Sequence, residues 1–236
     1  MEPTEANRRA WDEVHRRRAE ALEGRLGIPD VVRERLPDVA GKRVLHLQCA
    51  TGESTAGLVE LGALVTGVDI ANEALAVART KAPGATFIHG DVQALPPEVR
   101  RGRFDLVYTE TGIVCWLHDL DAWAGGIAAA LRDGGELVFF DGHPIAGCVD
   151  AAMRWRDDYF DESPIIATGW SHFDLPGEPA TEQKVERFWR IGQIVNAIAQ
   201  AGLVIRQLDE FPADPTGFRR QDRRIPGDLL ILASKA

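Results

Sequence analysis

RVLHLQCATGESTAGLVELGALVTGVD, running from Arg43 to Asp69, decides the reading of this chain. The apolar run Val44-Leu45-His46-Leu47 predicts a buried strand. Cys49-Ala50-Thr51-Gly52 predicts a tight turn, and the small and apolar residues up to Leu61-Gly62 predict a helix closed by a C-cap glycine. A second apolar run, Ala63 to Val68, ends on Asp69. Strand, tight turn, helix, strand and terminal carboxylate form the front half of a nucleotide-binding α/β unit. Such a turn lets a ligand approach the backbone, and the helix N-terminus offers N–H groups that lack intrahelical partners. A carboxylate at the tip of the second strand suits a ribose diol, because it can accept two hydroxyl hydrogen bonds.

Outward from this unit, strands and helices alternate. Strands are expected at 43–48, 63–69, Ala85 to His89, Phe104 to Tyr108 and Glu136 to Phe140. Helices are expected at 53–61, 72–81 and Leu120 to Leu131, with Pro83-Gly84 and Asp133-Gly134-Gly135 as stops. This alternation implies right-handed crossovers and a parallel sheet with helices on both faces. Upstream, residues 5–23 read as a helix with Trp11, Val14 and Leu22 as a loose apolar stripe. It packs either as an ordinary amphipathic helix or as a lid, within residues 1–40, that turns Trp11 and His15 toward a ligand. Gly24 and Gly27-Ile28-Pro29 break it, and Val31 to Leu36 forms a short helical turn.

Downstream, His143 to Gln183 has no clean period but carries Trp155, Tyr159, Phe160, Trp170 and Phe173. Long irregular segments in compact domains are functional or disordered, and five aromatics argue against disorder. Residues 143–183 are therefore expected to form an inserted aromatic cap over a substrate, the alternative being packing on the sheet edge or a dimer contact. A helix over 182–201 is expected from Val185, Phe188, Trp189, Val195 and Ile198, ending at Gly202. The strands Leu203 to Leu208 and Leu229 to Ala233 are joined by a Pro-rich loop, Phe211 to Gly227, with no helical pattern. The last two strands are therefore antiparallel.

The totals narrow the function. With 236 residues, 45% of them apolar, the chain can bury the core of one domain over 1–236. A net charge of −9 argues against a nucleic-acid backbone as the main partner. Cys49, Cys115 and Cys148 are too sparse for a disulfide frame or a zinc site, so a reducing cytoplasm and no metal are expected. No secretory leader and no membrane helix, which needs about 18 apolar residues, is expected.

VLHLQCATG, VTGVDIANEALAVAR, GDVQALP and FDLVYTETG followed by WLHDLDAWAGGIAAALRDGGELVFF occur in this order. Together with the terminal antiparallel pair they resemble the class I S-adenosylmethionine-dependent methyltransferases, strongly over 40–142 and in architecture over 184–236. HLQC resembles a small-molecule subgroup. The resemblance implies a Rossmann-like, seven-stranded, mostly parallel sheet with an antiparallel last strand. It implies S-adenosylmethionine as cofactor and methyl transfer to an O or N atom of a small molecule, a specialised metabolite. The chain departs from the family's acidic-x-Gly-x-Gly-x-Gly turn. His46 replaces the acid, Gln48 and Ala50 replace two glycines, and only Gly52 remains.

By position in the family, Asp69 binds the ribose hydroxyls, its alternative being the N-cap of the next helix. Ile70 covers the adenine, Asp91 accepts from the adenine amino group unless it is only a turn aspartate, and Val92 gives the ring a backbone N–H. The methionine end falls to Gln48, the backbone around Cys49 and Gly52, the Thr109 carbonyl, or Trp11, His15 or Arg16. Cys49 is expected as a small buried residue rather than a nucleophile. Methyl transfer asks only for in-line positioning, exclusion of water and, for some acceptors, a base. His143 is the first candidate base and His118 the second, each with a capping or surface alternative. Glu110, His143, Trp155, Tyr159 and Trp170 are the candidate substrate contacts, Glu110 being also a candidate cofactor contact, with a merely solvated side chain as its alternative. Arg219-Arg220 and Arg223-Arg224 form either an anion site or a solvated loop. The expected partners are a small-molecule substrate, no nucleic acid and no membrane, in a monomer or homodimer. The alternatives are a peptide or other macromolecule methyltransferase, an NAD-dependent oxidoreductase and a non-catalytic cofactor-binding scaffold.

Overall fold

A computed structural model describes residues 2–18, 27–170, 179–216 and 221–236. Helix α1 spans Pro3–Arg18 and the short α2 spans Asp30–Arg33. Then follow β1 (Arg43–Leu47), α3 (Glu53–Glu60), β2 (Leu64–Asp69), α4 (Asn72–Lys81), β3 (Thr86–His89), β4 (Phe104–Glu110), α5 (Leu120–Ala130) and β5 (Leu131–Gly142). The C-terminal part adds α6 (Pro144–Gly147), β6 (Ile165–Thr168), β7 (Gln183–Glu186), α7 (Ile191–Gln200), β8 (Leu203–Pro212) and β9 (Pro226–Lys235). The part of the expected first helix beyond Arg18, with Leu22 and Gly24, lies outside the described residues, as do Phe173, Arg219 and Arg220.

Seven strands form one sheet in the order β3-β2-β1-β4-β5-β9-β8, and only β9 runs against the others. The reversal of strand order between β1 and β4 is a topological switch point, where open α/β sheets bind ligands beyond the carboxyl ends of their strands. The inner strands are buried on both faces, so they read as continuous apolar runs. Leu45, Leu47, Leu137 and Phe139 pack toward Trp123 and Ile127 of α5 and Ile194 and Ile198 of α7. Val44, Val138 and Phe140 pack on the opposite face, toward Val32 of α2 and Leu58 of α3. Asp119 caps α5 by accepting from the Ala122 N–H at 2.8 Å. Among the described residues no helix is long and apolar enough to cross a membrane.

The expected helix over 182–201 is a strand followed by a shorter helix. Gln183–Glu186 is extended and pairs antiparallel with β6, and α7 begins only at Ile191. Tertiary bonding overrides the helical spacing here. The Asn7 side chain of α1 accepts from the Val185 N–H at 2.7 Å and donates to the Val185 carbonyl at 2.8 Å, as a neighbouring strand would. Trp189, whose spacing suggested a helix face, sits in the connection and donates from Nε1 to the Leu117 carbonyl at 2.8 Å.

Candidate functional site

The turn after β1 keeps the family's geometry without its glycines. Gln48, Ala50 and Gly52 have φ values of 52°, 45° and 83°. All three are left-handed, and for an L-residue this costs roughly 1–2 kcal/mol. The conformation is held by bonding: the Ala50 N–H donates to Asp69 Oδ2 at 2.8 Å. Ala50→Gly is therefore expected to stabilise the protein by about 0.5–1 kcal/mol, net of the entropy that glycine loses on folding, as read from urea denaturation.

A cavity with roughly 700 Å³ of empty space, including its mouth, opens over the carboxyl ends of β1 to β4. Gln48 and Ala50 line it after β1, Asp69 and Ile70 after β2, Gly90, Asp91, Val92 and Gln93 after β3, and Thr111, Gly112 and Trp116 after β4. Thr4, Asn7, Trp11 and His15 of α1 close its outer side.

Asp69 is 8% exposed. Its Oδ1 accepts from the Ala71 N–H and its Oδ2 from the Ala50 N–H, both at 2.8 Å, which leaves lone pairs for a ligand's hydroxyls. Burial pushes its pKa up, and these N–H groups oppose the shift. It is not the N-cap of α4, a place held by Ala71. Asp91 accepts from the Gln93 N–H at 2.9 Å and starts a single 3-10 turn over Val92–Ala94, which sets Val92 at the cavity wall. The Gln93 side-chain oxygen Oε1 in turn accepts from the His118 and Asp119 N–H groups at 2.7 and 2.8 Å.

Helix α1 is clamped over the cavity from two sides. Asp12 accepts from the Glu73 N–H at the start of α4 at 3.2 Å, and Glu13 accepts from the N–H groups of Thr181 and Glu182 at 3.1 and 3.0 Å. Arg16, expected to reach the methionine end, instead pairs with Glu73 at 3.3 Å and does not line the cavity. Trp11 stacks on His15 with ring centroids 5.4 Å apart and meets Trp116 edge-on at 5.1 Å. Trp170 packs behind them, 4.4 Å from Trp11 and 5.6 Å from Trp116.

Several expected contacts lie elsewhere. His143 caps α6, its Nδ1 accepting from the Ile145 N–H at 3.2 Å and its Nε2 2.9 Å from Glu210, and it does not line the cavity. His118 also stays behind the wall, with Nε2 3.4 Å from the Asn7 amide nitrogen, and burial lowers its pKa. Glu110, at the end of β4, turns under α3 and bonds to Ser54. Burial raises its pKa from 4.5 to about 7. His46 occupies the same face, fully desolvated to a pKa of about 3 and bonded to Thr55 at 2.8 Å. Thr109 Oγ1 donates to the Leu47 carbonyl at 3.2 Å and ties β4 to β1. Cys49 is buried, its thiol pKa pushed well up by burial and then by Asp69. Gly52 packs against Ala78 of α4, so a side chain there would collide with the helix backbone. Trp155 is 68% exposed, and the Tyr159 hydroxyl accepts from the Ile191 N–H at 3.3 Å beside α7. Of the aromatic insert, Trp170 alone among the described residues packs on the cavity's tryptophans. Arg224 pairs with Asp222 on an exposed loop.

The sequence reading missed Thr4 and Asn7, although Thr4, Asn7, Trp11 and His15 fall at helical spacing on one face of α1. It missed Thr111 and Gly112 because β4 runs two residues further than expected.

Sheet order, switch-point cavity and paired carboxylates define a nucleotide-cofactor protein of the doubly wound class. Residues 44–135 match the family model described as a methyltransferase domain. An uncharacterised methyltransferase of Synechocystis is 34% identical over 115 residues, 47% of this chain and 51% of that protein. A trans-aconitate 2-methyltransferase of Paracidovorax citrulli is 30% identical over 140 residues, 56% of this chain and 53% of that protein. The crystal structure of an S-adenosylmethionine-dependent methyltransferase from Mesorhizobium loti superposes with a TM-score of 0.66 and 27% identity, covering 87% of this chain and 96% of that one. The chain spans about half the length of the first two curated relatives. Over residues 44–135 and in overall fold the chain is similar to the class I S-adenosylmethionine-dependent methyltransferases.

The cavity fits that family's cofactor. Asp69 keeps lone pairs for a diol, and Gln48 Oε1 is a buried acceptor with no hydrogen-bond partner among the described residues. The charged lining residues are two carboxylates, which suit a cationic sulfonium. Asp69 would hold the ribose, Ile70, Asp91 and Val92 the adenine, and the cofactor would supply an activated methyl group.

Proposed function

We propose that this chain transfers the methyl group of S-adenosylmethionine to an O or N atom of a small, uncharged acceptor, a specialised metabolite, in the cytoplasm. One observation carries the reading: Asp69, Asp91 and Gln48 meet in a single cavity at the switch point, closed over by α1. The tryptophan edges of Trp11 and Trp116 give the outer wall an apolar, aromatic character that excludes water and suits a planar acceptor. No lysine or arginine lines the cavity among the described residues, so a carboxylate acceptor meets no counter-ion there. The trans-aconitate-directed relative thus lends this chain its chemistry rather than its substrate. With neither His143 nor His118 at the cavity wall, positioning carries the reaction.

The test is incubation with methyl-labelled S-adenosylmethionine and a panel of phenols, amines and carboxylic acids. Label is expected in a phenol or amine, with trans-aconitate at least tenfold poorer. Preferential labelling of trans-aconitate would overturn the uncharged-acceptor reading, and labelling of protein or RNA alone would overturn the small-molecule reading.

A further inference from the structure

Asp141 stands near the end of β5 and is not part of the cavity wall. It is 3% exposed. Its carboxylate accepts four backbone N–H groups, from Gly112 at 2.6 Å, Ile113 at 3.0 Å, Val114 at 2.8 Å and Gly142 at 2.8 Å. A carboxylate this buried is tolerated only when its lone pairs are filled, and here backbone donors fill them. Three of the four belong to the turn after β4, where Thr111 and Gly112 are left-handed, with φ of 58° and 75°, and line the cavity.

The carbonyl of Ile113 in that turn accepts from Gln48 Nε2 at 3.2 Å. The bond fixes which way the Gln48 amide faces, because only its nitrogen end can donate. The oxygen end, Oε1, is left buried without a donor among the described residues. An unfilled buried acceptor is unfavourable, because it has given up water without gaining a donor. Gln48 also carries a left-handed backbone, so two unfavourable terms meet in one residue on the cavity wall.

We infer that Asp141 is a positioning residue, which acts through the 111–114 turn and the Ile113 carbonyl to aim Gln48 Oε1 at the α-ammonium of the cofactor's methionine end. The inference rests on the reading of this cavity as the S-adenosylmethionine site. An ammonium donating to an amide oxygen is a charge-assisted bond, and it fills the orphaned acceptor. The device stands in for the family's acid, whose place is taken by a His46 that bonds to Thr55 and does not line the cavity.

Calorimetric binding of two ligands tests it. S-adenosylhomocysteine carries the amino-acid end, and 5′-methylthioadenosine keeps the adenosine and lacks that end. Asp141→Asn places an NH₂ among N–H donors, and Gln48→Leu removes the acceptor at similar volume. Both variants are expected to lose about tenfold or more in S-adenosylhomocysteine affinity and less than twofold for 5′-methylthioadenosine. A general loosening of the fold would weaken both ligands alike, so equal losses in Asp141→Asn overturn the inference. Unchanged S-adenosylhomocysteine affinity in Gln48→Leu overturns it too, and that variant decides alone if Asp141→Asn does not fold. A wild type that binds neither ligand overturns the cofactor reading and this inference with it, whereas normal binding with unshifted ratios overturns this inference alone.

Discussion

Asp69→Ala is expected to reduce S-adenosylhomocysteine affinity by a hundredfold or more, below what calorimetry detects at ordinary protein concentrations. Two hydroxyl groups bonded to a buried carboxylate contribute about 1.5–3 kcal/mol each, so their joint loss is roughly 3–6 kcal/mol. The carboxylate also fixes the turn through the Ala50 N–H and the start of α4 through the Ala71 N–H. Removing it leaves both donors short of an acceptor and lets the left-handed turn relax. Asp69→Asn keeps one acceptor oxygen and is expected to lose less. A folded Asp69→Ala protein with wild-type affinity would remove Asp69 from the site.

Glu110→Gln is expected to stabilise the protein at pH 8 and to do so far less at pH 5. Burial holds the Glu110 carboxyl at about 7 in the folded chain, against 4.5 as the ordinary value. A raised carboxyl pKa means that the native state keeps a proton the unfolded chain releases. The stability from this group is complete below the unfolded value and is lost as pH rises through about 7. The full difference is on the order of 3 kcal/mol, reached above pH 7. Glutamine accepts the same Ser54 hydroxyl without a charge, so the variant should not show this decline. Urea midpoints at pH 5 and pH 8 measure it, and parallel declines in wild type and variant would contradict it.

The sheet was legible because its inner strands are apolar runs cut by glycine and acidic residues. Arg43–Leu47 and Leu64–Asp69 fall within one residue of the expected ranges. Expectation failed at Gln183–Glu186, where apolar residues at helical spacing are held extended by β6 and by the Asn7 amide. No local signal carries a bond from a residue 178 positions away. That Asp69, Ile70, Asp91 and Val92 share one cavity could be read because they lie at the tips of β2 and β3, next to the strands that announce them. The histidines misled for the opposite reason. His143 follows β5 and His118 precedes α5, but their rings are held by a helix cap and by the wall behind the cavity. Asp141 reads in sequence as one more acid at a strand end. Only the fold brings three N–H groups of the 111–114 turn onto it.

The switch-point cavity is expected to take S-adenosylmethionine rather than a nicotinamide dinucleotide. Calorimetric titration of the wild-type chain with S-adenosylhomocysteine, beside an identical titration with NAD, tests it most directly. Single-site binding at micromolar affinity with no heat from NAD is the predicted result. Binding of NAD in preference to S-adenosylhomocysteine, or binding of neither, would contradict it.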